Sequence, residues 1–487
     1  MKPLIAIPML ACVFATVARA ASMDLAQAIS RMESGNNSIQ AHRQRLETAT
    51  ENKLAARGNF LPVIRLDFAA AHLDRDIVLD LDPIRAAMIQ AQAGDAVALA
   101  KLEHAMKNPT SPQMPASSQL ATKDIATSRW DAALPHFVKT SKEQDDWEAS
   151  VVAYQPIFHG GRILAAHRVA ASRQRAAQAE LDRQENDLRR DFTRLYLQGC
   201  LLRASIALRN DAIASIQHHR DRAKNLVVQG MADRAALLRA EMTLAEARTA
   251  LSDDSAKLES ISLTLAQMAG EDEPILPSDA LPSPVEPASG AGIEREISER
   301  NPLVLSLAAQ QEVAHRAVEV RNADFLPEIG AFGKYELNQD AAKAALAPGW
   351  VVGVRGTINI FRGGADFHSR LAARSTELEV AAMRREAQQA LAAQSKRQFL
   401  TGKQARTRYA NLVSQSDLAR ENHRVVSRRF DEGLSTSLEV VDAWLSMQKA
   451  DLDRVGAASD AWIATQEVLW ASGRTTEFIK LWNGAGK

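Results

Sequence analysis

Few side chains in this 487-residue chain have the types and spacing that chemistry requires. The sequence has no nucleophile elbow, no His-Glu-x-x-His, no P-loop and no cluster of histidines and carboxylates at metal-ligand spacing. His218 and His219 are adjacent, so on a helix their rings point to different faces, and we expect solvated side chains rather than metal ligands. The sequence therefore predicts a protein that is not an enzyme and has no metal site or cofactor.

Two carboxylates, Glu439 and Asp442, are better placed for a function. They are three residues apart, so they share one face of a helix, and that helix is predicted to begin just after a turn at Gly433. Acidic side chains in the first turns of a helix are also favoured by the helix dipole alone. The spacing leaves both interpretations open: local stabilisation of the helix start, and a charged site at the helix tip.

The elements that position these carboxylates are arranged as a twofold repeat. The segment from Trp147 to Phe158 returns without a gap from Trp350 to Phe361, at an offset of 203 residues. The glycines Gly160, Gly161 and Gly230 return at the same offset as Gly363, Gly364 and Gly433. Because glycine allows turns that other residues disfavour, we expect strand-to-helix turns at the two glycine pairs and helix-tip turns at Gly230 and Gly433.

Long helices are predicted to follow each glycine pair. From residue 162 to residue 229 the sequence has almost no helix breaker, which corresponds to a helix on the order of 100 Å long. In the next helix, leucines recur at a strict seven-residue spacing: Leu237, Leu244, Leu251, Leu258 and Leu265. This spacing is typical of coiled coils, so we expect antiparallel packing of the long helices within each repeat.

Short strands are predicted between the helices. The apolar residues expected on one strand face are Ile64, Leu66, Phe68 and Ala70 in one strand and Trp350, Val352, Val354, Ile358 and Ile360 in another. Strands of this length suit a tilted crossing of a lipid bilayer. A half-buried sheet in a soluble domain shows the same alternation, but the flanking helices are too long to cover four short strands. Four strands leave open edges, which lipid does not tolerate, so the sequence predicts an oligomer.

Charge and targeting signals narrow the class of protein further. Lysines plus arginines equal aspartates plus glutamates, and a net charge of zero argues against a nucleic-acid partner. Residues 1–20 have a basic start, an apolar core and a small-residue cleavage site, as expected of an export signal peptide. Lipid modification of Cys12 is the alternative. If the signal is removed, Cys200 is the only cysteine, so we expect no intrachain disulfide.

The expected domain organisation follows from these features. A first structural repeat, residues 21–270, contains a helix, a strand, an insert, a second strand and two long helices. A Pro-rich connector, residues 271–297, leads to a second structural repeat, residues 298–473, and to a C-terminal tail, residues 474–487. The insert, residues 74–144, is the main asymmetry between the repeats, and its sequence indicates no role.

Together these motifs resemble the TolC family of outer-membrane efflux proteins over nearly the whole chain. The resemblance rests on the doubled Phe-Leu-Pro before a strand, on strand exits that end at the glycine pairs, and on the tip pattern from Arg429 to Gly433 followed by Leu438 to Ala443. It implies an α+β membrane protein whose long antiparallel coiled-coil helices form a periplasmic α-barrel. Four strands per protomer would enter a twelve-stranded β-barrel shared by a homotrimer in the cell outer membrane.

The resemblance also implies a function and partners. It indicates a passive channel of a tripartite efflux or type I secretion system, which receives substrates from an inner-membrane pump through a periplasmic adaptor. The adaptor would dock at the helix tips near Gly230 and Gly433. In the family, acidic residues after the second tip constrict the periplasmic entrance, and Glu439 and Asp442 occupy those positions.

The tip sequence departs from the family pattern, and a second class of protein shares part of the evidence. Glu439 replaces an aspartate of the best-known members, and Ser435 replaces an arginine, so we expect a different closing network. The corresponding first-repeat residues, Ala236 and Arg239, are not acidic, which confines the acidic ring to the second-repeat tips. A periplasmic coiled-coil adaptor or scaffold would share the export signal and the heptads, but it would not need strands of bilayer length.

Overall fold

The computed structural model describes residues 21–109, 112–286, 292–338 and 348–486. The predicted signal peptide and Cys12 lie outside the described residues. The chain divides into two compact units. The helical unit comprises the residues up to Ala56, Leu164–Asn322 and the residues from Gly364 onward, and the sheet unit comprises Arg57–Ile163 and Ala323–Gly363.

Helices account for most of the described chain, and their order repeats. They are α1 (Leu25–Gly35), α2 (Asn37–Gly58), α3 (Asp82–Lys107), α4 (Ala116–Ala133), α5 (Arg162–Val228), α6 (Arg234–Ala269), α7 (Ile293–Arg300), α8 (Pro302–Asn322), α9 (Ala365–Asp431), α10 (Ser437–Ala471) and α11 (Thr475–Ala485). The strands are β1 (Ala21–Met23), β2 (Val63–His72), β3 (Ile77–Asp80), β4 (Val138–Lys142), β5 (Asp145–His159), β6 (Ile275–Pro277), β7 (Glu328–Glu336) and β8 (Trp350–Thr357). Helices α5 and α9 each contain 67 residues, and the helices after them contain 36 and 35, so one helical pattern occurs twice.

Four strands form one antiparallel sheet in the order β2-β5-β7-β8. The register places Ile64 opposite Ala153, Ala153 opposite Gly333, and Gly333 opposite Val352. One apolar face therefore continues across strands from both repeats. Ile64 and Val352 are 69% and 70% exposed, so the single chain leaves this face open.

The opposite face of the sheet has charged and aromatic side chains beside Val63 and Val152. Arg65 and Arg355 project from the two edge strands, and Tyr154 and Phe332 lie between them. The Arg355 guanidinium carbon is 5.5 Å from the centroid of the Phe332 ring, a distance at which a cation and an aromatic ring attract each other. The alternation predicted for the last strand is confirmed within β8, where Val352 and Val354 lie on the apolar face and Gly353 and Arg355 lie on the opposite face.

The last strand is shorter than predicted. Strand β8 ends at Thr357, so Ile358 and Ile360 lie beyond it, and their prediction as strand residues is wrong. Thr357 pairs with Glu328, the first residue of β7, and a 3-10 turn at Ala323–Phe325 precedes that strand. No strand of the described chain pairs with β8 past Thr357, so the ladder ends there.

The insert predicted at residues 74–144 folds as two paired strands with a helix hairpin between them. Strand β3 pairs antiparallel with β4, and α3 packs against α4. Arg85 of α3 is buried, donates a hydrogen bond to the carbonyl oxygen of Leu134 at 3.0 Å and pairs with Asp131 at 2.8 Å. This guanidinium stabilises the C-terminal end of α4, where carbonyl groups lack helical partners.

Ion pairs with a buried carboxylate join the long helices within each repeat. Asp254 occupies one position of the apolar seam of α6 and pairs with Arg209 of α5 at 2.7 Å. In the second repeat, Asp451 of α10 pairs with Arg420 of α9 at 3.0 Å. Because removing one partner would leave a buried charge uncompensated, each pair favours a single alignment of its two helices.

A repeated hydrogen bond ties the start of each repeat to the end of its last long helix. The side-chain amide of Asn36 donates to the carbonyl oxygen of Met268 at 2.7 Å. The amide of Asn301 donates to the carbonyl oxygen of Ala471 at 2.9 Å. Met268 and Ala471 are again 203 residues apart, so the internal repeat extends to the helix ends.

The largest apolar core of the described chain includes residues from the predicted connector, residues 271–297, and from the predicted C-terminal tail, residues 474–487. Strand β6 pairs in parallel with β1, and the rings of Trp462 and Trp482 pack edge to face at 5.1 Å. The Trp482 indole donates a hydrogen bond to Asp279 at 2.8 Å. Residues 287–291 of the predicted connector lie outside the described residues.

Candidate functional site

Both helix-tip turns use a glycine in the left-handed region. Gly230 has φ of 72° and Gly433 has φ of 76°, a conformation that residues with a Cβ atom rarely adopt. At the first tip, Asp233 caps α6 by accepting a hydrogen bond from the backbone N–H of Ala235 at 3.3 Å. At the second tip, Thr436 occupies the same place before α10. The chain therefore turns in the same way at both tips.

Glu439 is part of the cap at the second tip. Its carboxylate accepts a hydrogen bond from the backbone N–H of Thr436 at 3.0 Å, and its own N–H donates to the Thr436 hydroxyl at 3.3 Å. This capping box gives Glu439 a local role in starting α10. Glu439 and Asp442 are both exposed, on the side of α10 away from the buried Trp444.

At the first tip, the positions that correspond to Glu439 and Asp442 are Ala236 and Arg239. Ala236 is partly buried and its carbonyl oxygen accepts a hydrogen bond from the Ser437 hydroxyl at 3.5 Å, whereas Arg239 is exposed. The Ser435 hydroxyl, at the position where the family resemblance suggests an arginine, has no hydrogen-bond partner in the described part of the chain. The acidic pair at the second tip is thus not duplicated at the first.

A buried histidine lies beside the second tip. His219 of α5 is only 7% exposed, its Nε2 is 2.9 Å from the Ser437 hydroxyl, and its ring packs edge to face against Phe430 at 4.9 Å. Burial lowers the pKa of His219 from 6.5 to about 4. The expectation of a solvated His219 is therefore wrong, because α9 and α10 cover this face of α5; His218 is exposed as expected.

An apolar contact continues from His219 along the same helices. Trp444 of α10 is buried, and its indole donates a hydrogen bond to the carbonyl oxygen of Ala212 at 2.9 Å. Ile216 of α5, Leu244 of α6 and Val441 of α10 pack in the same cluster. The second-repeat tip is therefore anchored to the first-repeat helices by both polar and apolar contacts.

The strand-to-helix glycine pairs also have left-handed backbones. The φ values are 57° and 77° at Gly160 and Gly161, and 61° and 81° at Gly363 and Gly364. A Cβ atom on Gly160 would lie 2.7 Å from the Cβ of Leu326, so only glycine fits this approach. These positions shape the chain and hold no group that could bind a ligand.

The described residues contain neither a metal-ion site nor a membrane-spanning helix. No group of three or more histidines, cysteines and carboxylates among those residues could hold a metal ion. None of the helices there combines the length and the hydrophobicity needed to cross a lipid bilayer.

A match to a known protein family covers most of the chain. A family model described as outer membrane efflux protein matches residues 28–271 and 295–474. The chain belongs to this family, whose members are efflux channels of the outer membrane and not enzymes. Comparison with curated proteins gave no significant match.

Solved outer-membrane proteins have a similar fold. The open-state MtrE channel of Neisseria gonorrhoeae is 17% identical, with a TM-score of 0.69, and the match covers 93% of this chain and 89% of that one. The CmeC channel of Campylobacter jejuni is 12% identical, with a TM-score of 0.68 and coverage of 100% and 98%. VceC of Vibrio cholerae is 14% identical, with a TM-score of 0.67 and coverage of 92% and 96%. At these identities the likeness establishes the fold alone.

Proposed function

We propose that this protein is the outer-membrane channel of a tripartite efflux or type I secretion system. It works as a homotrimer and passively conducts substrates that an inner-membrane pump delivers through a periplasmic adaptor. The observation that carries the proposal is the sheet with one apolar face, one face with charged and aromatic side chains, and two edge strands, β2 and β8. In lipid, unpaired edges are too costly, so the edges of neighbouring copies must pair.

Three copies would supply twelve strands to one shared barrel. The apolar face with Ile64 and Val352 would contact lipid, and the face with Arg65 and Arg355 would line an aqueous interior. MtrE and CmeC, which have a similar fold, are outer membrane channels.

The periplasmic entrance is proposed at the second-repeat tips. Glu439 and Asp442 are exposed and within two turns of the α10 start, so three copies would bring six carboxylates together. A ring of carboxylates attracts cations and repels anions in a narrow pore. The adaptor is proposed to dock around Gly230 and Gly433 and to stabilise the state in which the tips are apart.

The molar mass of the purified protein tests the oligomer. We expect light scattering in detergent to give three chains of 53.1 kDa each, less any cleaved signal peptide, and the same sample to insert into lipid vesicles. A monomer that stays out of vesicles would contradict the proposal and favour a periplasmic scaffold instead.

The entrance is tested by removing charge without disturbing the helix cap. In the double variant Glu439→Gln/Asp442→Asn, glutamine can still accept the hydrogen bond from Thr436, so α10 should begin as before. We expect the cation-to-anion permeability ratio in planar bilayers to fall towards that of an uncharged pore.

A matched control neutralises two exposed carboxylates of the first repeat. The variant Glu241→Gln/Glu246→Gln changes α6, where we propose no acidic ring, and should keep the wild-type permeability ratio. If the Glu439→Gln/Asp442→Asn channel has the same ratio as the wild type, these residues do not belong to the entrance.

A further inference from the structure

One imidazole contacts both sides of the second-repeat turn. Phe430 lies in the last turn of α9, before Gly433, and Ser437 is the first residue of α10, after it. His219 of α5 packs against the first and hydrogen-bonds to the second. The position of the turn relative to α5 therefore depends on a side chain that can gain a proton.

The surroundings of His219 are unfavourable for a positive charge on its imidazole ring. A cavity of about 370 Å³ lies between α5 and α9 beside the imidazole. The titratable and charged groups facing it are His218 and Arg222 from α5 and His423, Arg424, Arg428 and Asp431 from α9. The groups that α10 and α6 place there, the Ser437 hydroxyl and the Ala236 carbonyl, are uncharged.

The carboxylate of this cavity is already paired. Asp431 lies 2.9 Å from the guanidinium of Arg222, so it offers an imidazolium little further compensation. His423 is itself partly buried, and burial lowers its pKa below the usual histidine value. Protonation of His219 in the closed contact would thus place a charge in a buried site whose one carboxylate, Asp431, is already paired.

We propose that the contact of His219 with Phe430 and Ser437 is a pH-sensitive latch on the second-repeat tip, which protonation of His219 releases. The inference rests on the proposed function, in which this tip is part of the periplasmic entrance. Release exposes His219 to water and frees the turn at Gly433 from α5, so acidification favours tips that are apart.

The direction and size of the pH effect follow from the two protonation equilibria. The pKa of His219 is about 4 in the closed contact, against 6.5 for a solvated histidine. The closed contact therefore has its full stability above pH 6.5 and loses it as the pH falls from 6.5 towards 4, because the released form binds the proton more tightly. The ratio of closed to released tips should change by up to about tenfold per pH unit in this range, and by about thirtyfold between pH 7.5 and pH 5.

Hydrogen–deuterium exchange of the full-length protein tests the latch directly. Peptides covering residues 425–445 are compared at pH 7.5 and pH 5.0 after correction for intrinsic exchange. We expect wild-type protection to fall by up to about thirtyfold at pH 5.0 and His219→Gln to show no such fall, because glutamine can hydrogen-bond to Ser437 but does not titrate. A wild-type response in His219→Gln would overturn the proposal, as would unchanged protection in the wild type.

Two further variants separate the latch from general loss of structure. Ser437→Ala removes the hydrogen bond but keeps the titrating group, so its tip should be less protected at both pH values and still respond to pH. His104→Gln replaces a partly buried histidine of α3 and should respond as the wild type does. A Ser437→Ala tip that no longer responds to pH would contradict the assignment to His219.

Channel recordings distinguish failure of the latch from failure of the proposed function. The wild-type open probability should rise between pH 7.5 and pH 5.0, and that of His219→Gln should stay constant. Equal pH responses of the two channels would overturn the latch alone. A protein without conductance at any pH would contradict the proposed function, and the exchange experiment would still test the latch.

Discussion

The two helix tips have the same backbone turn but differ in most of their side chains. Both turn at a left-handed glycine, and both following helices begin with a side-chain cap. At the offset of 203 residues, however, the buried Trp444 corresponds to the exposed Glu241, and Glu439 corresponds to Ala236. The duplicated segments therefore fix the helix geometry, whereas a few side chains determine which tip is anchored to α5 and which tip carries acidic groups.

Truncating the anchor of the second tip should have the largest effect. Trp444→Ala removes a buried indole and its hydrogen bond to Ala212, and we expect the free energy of unfolding to fall by about 3–5 kcal/mol. The matched variant Glu241→Ala should change it by less than about 0.5 kcal/mol, because the side chain is exposed. Urea unfolding in detergent, followed by circular dichroism, measures both values; equal effects would refute the difference between the tips.

The strand-to-helix turns give a second comparison between the repeats. Gly160→Ala and Gly363→Ala both place a Cβ atom in a left-handed backbone, which costs about 1–2 kcal/mol. At Gly160 the new atom would also lie 2.7 Å from Leu326, whereas at Gly363 no atom of the described residues lies within 4 Å. We expect Gly160→Ala to be the more destabilising by about 1–3 kcal/mol in the same urea assay. The opposite order would contradict the packing around Gly160.

Removing the helix caps should have the smallest effect of the three. Asp233→Ala and Thr436→Ala each remove an N-cap, and we expect a loss of about 1 kcal/mol in the stability of the first turn of α6 or α10. Thr436→Ala should have the smaller effect, because the Glu439 carboxylate still accepts a hydrogen bond from the backbone N–H of residue 436 and keeps half of the capping box. Hydrogen exchange of the two first turns measures the difference, and equal losses would show that the box adds nothing to the cap.

Features set by local sequence could be predicted, and features set by packing between distant segments could not. The seven-residue spacing from Leu237 to Leu265 and the duplicated glycines report helix and turn geometry directly, so the long helices and the tips follow from the sequence. The burial of His219 depends on α9 and α10, which lie about 200 residues further along the chain. The prediction that β8 continues past Thr357 was wrong for a similar reason. The hydrogen-bonded ladder of β8 ends where its partner strand β7 begins.

At the candidate entrance, too, local features could be predicted and contacts between distant segments could not. Three-residue spacing places Glu439 and Asp442 on one side of α10, and both are exposed there. The capping box between Thr436 and Glu439 is also visible in the sequence as a threonine followed three residues later by a glutamate. The contacts of Phe430 and Ser437 with α5 have no such local signature, because they join segments from different repeats.

Single-channel recording of the purified protein in a planar bilayer, under an ionic gradient, tests the central claim most directly. The account predicts discrete openings whose reversal potential shows a preference for cations, since the proposed entrance is lined by Glu439 and Asp442 from three copies. A protein that inserts into the bilayer and gives no openings would contradict the proposed channel. Openings with a preference for anions would contradict the proposed acidic entrance.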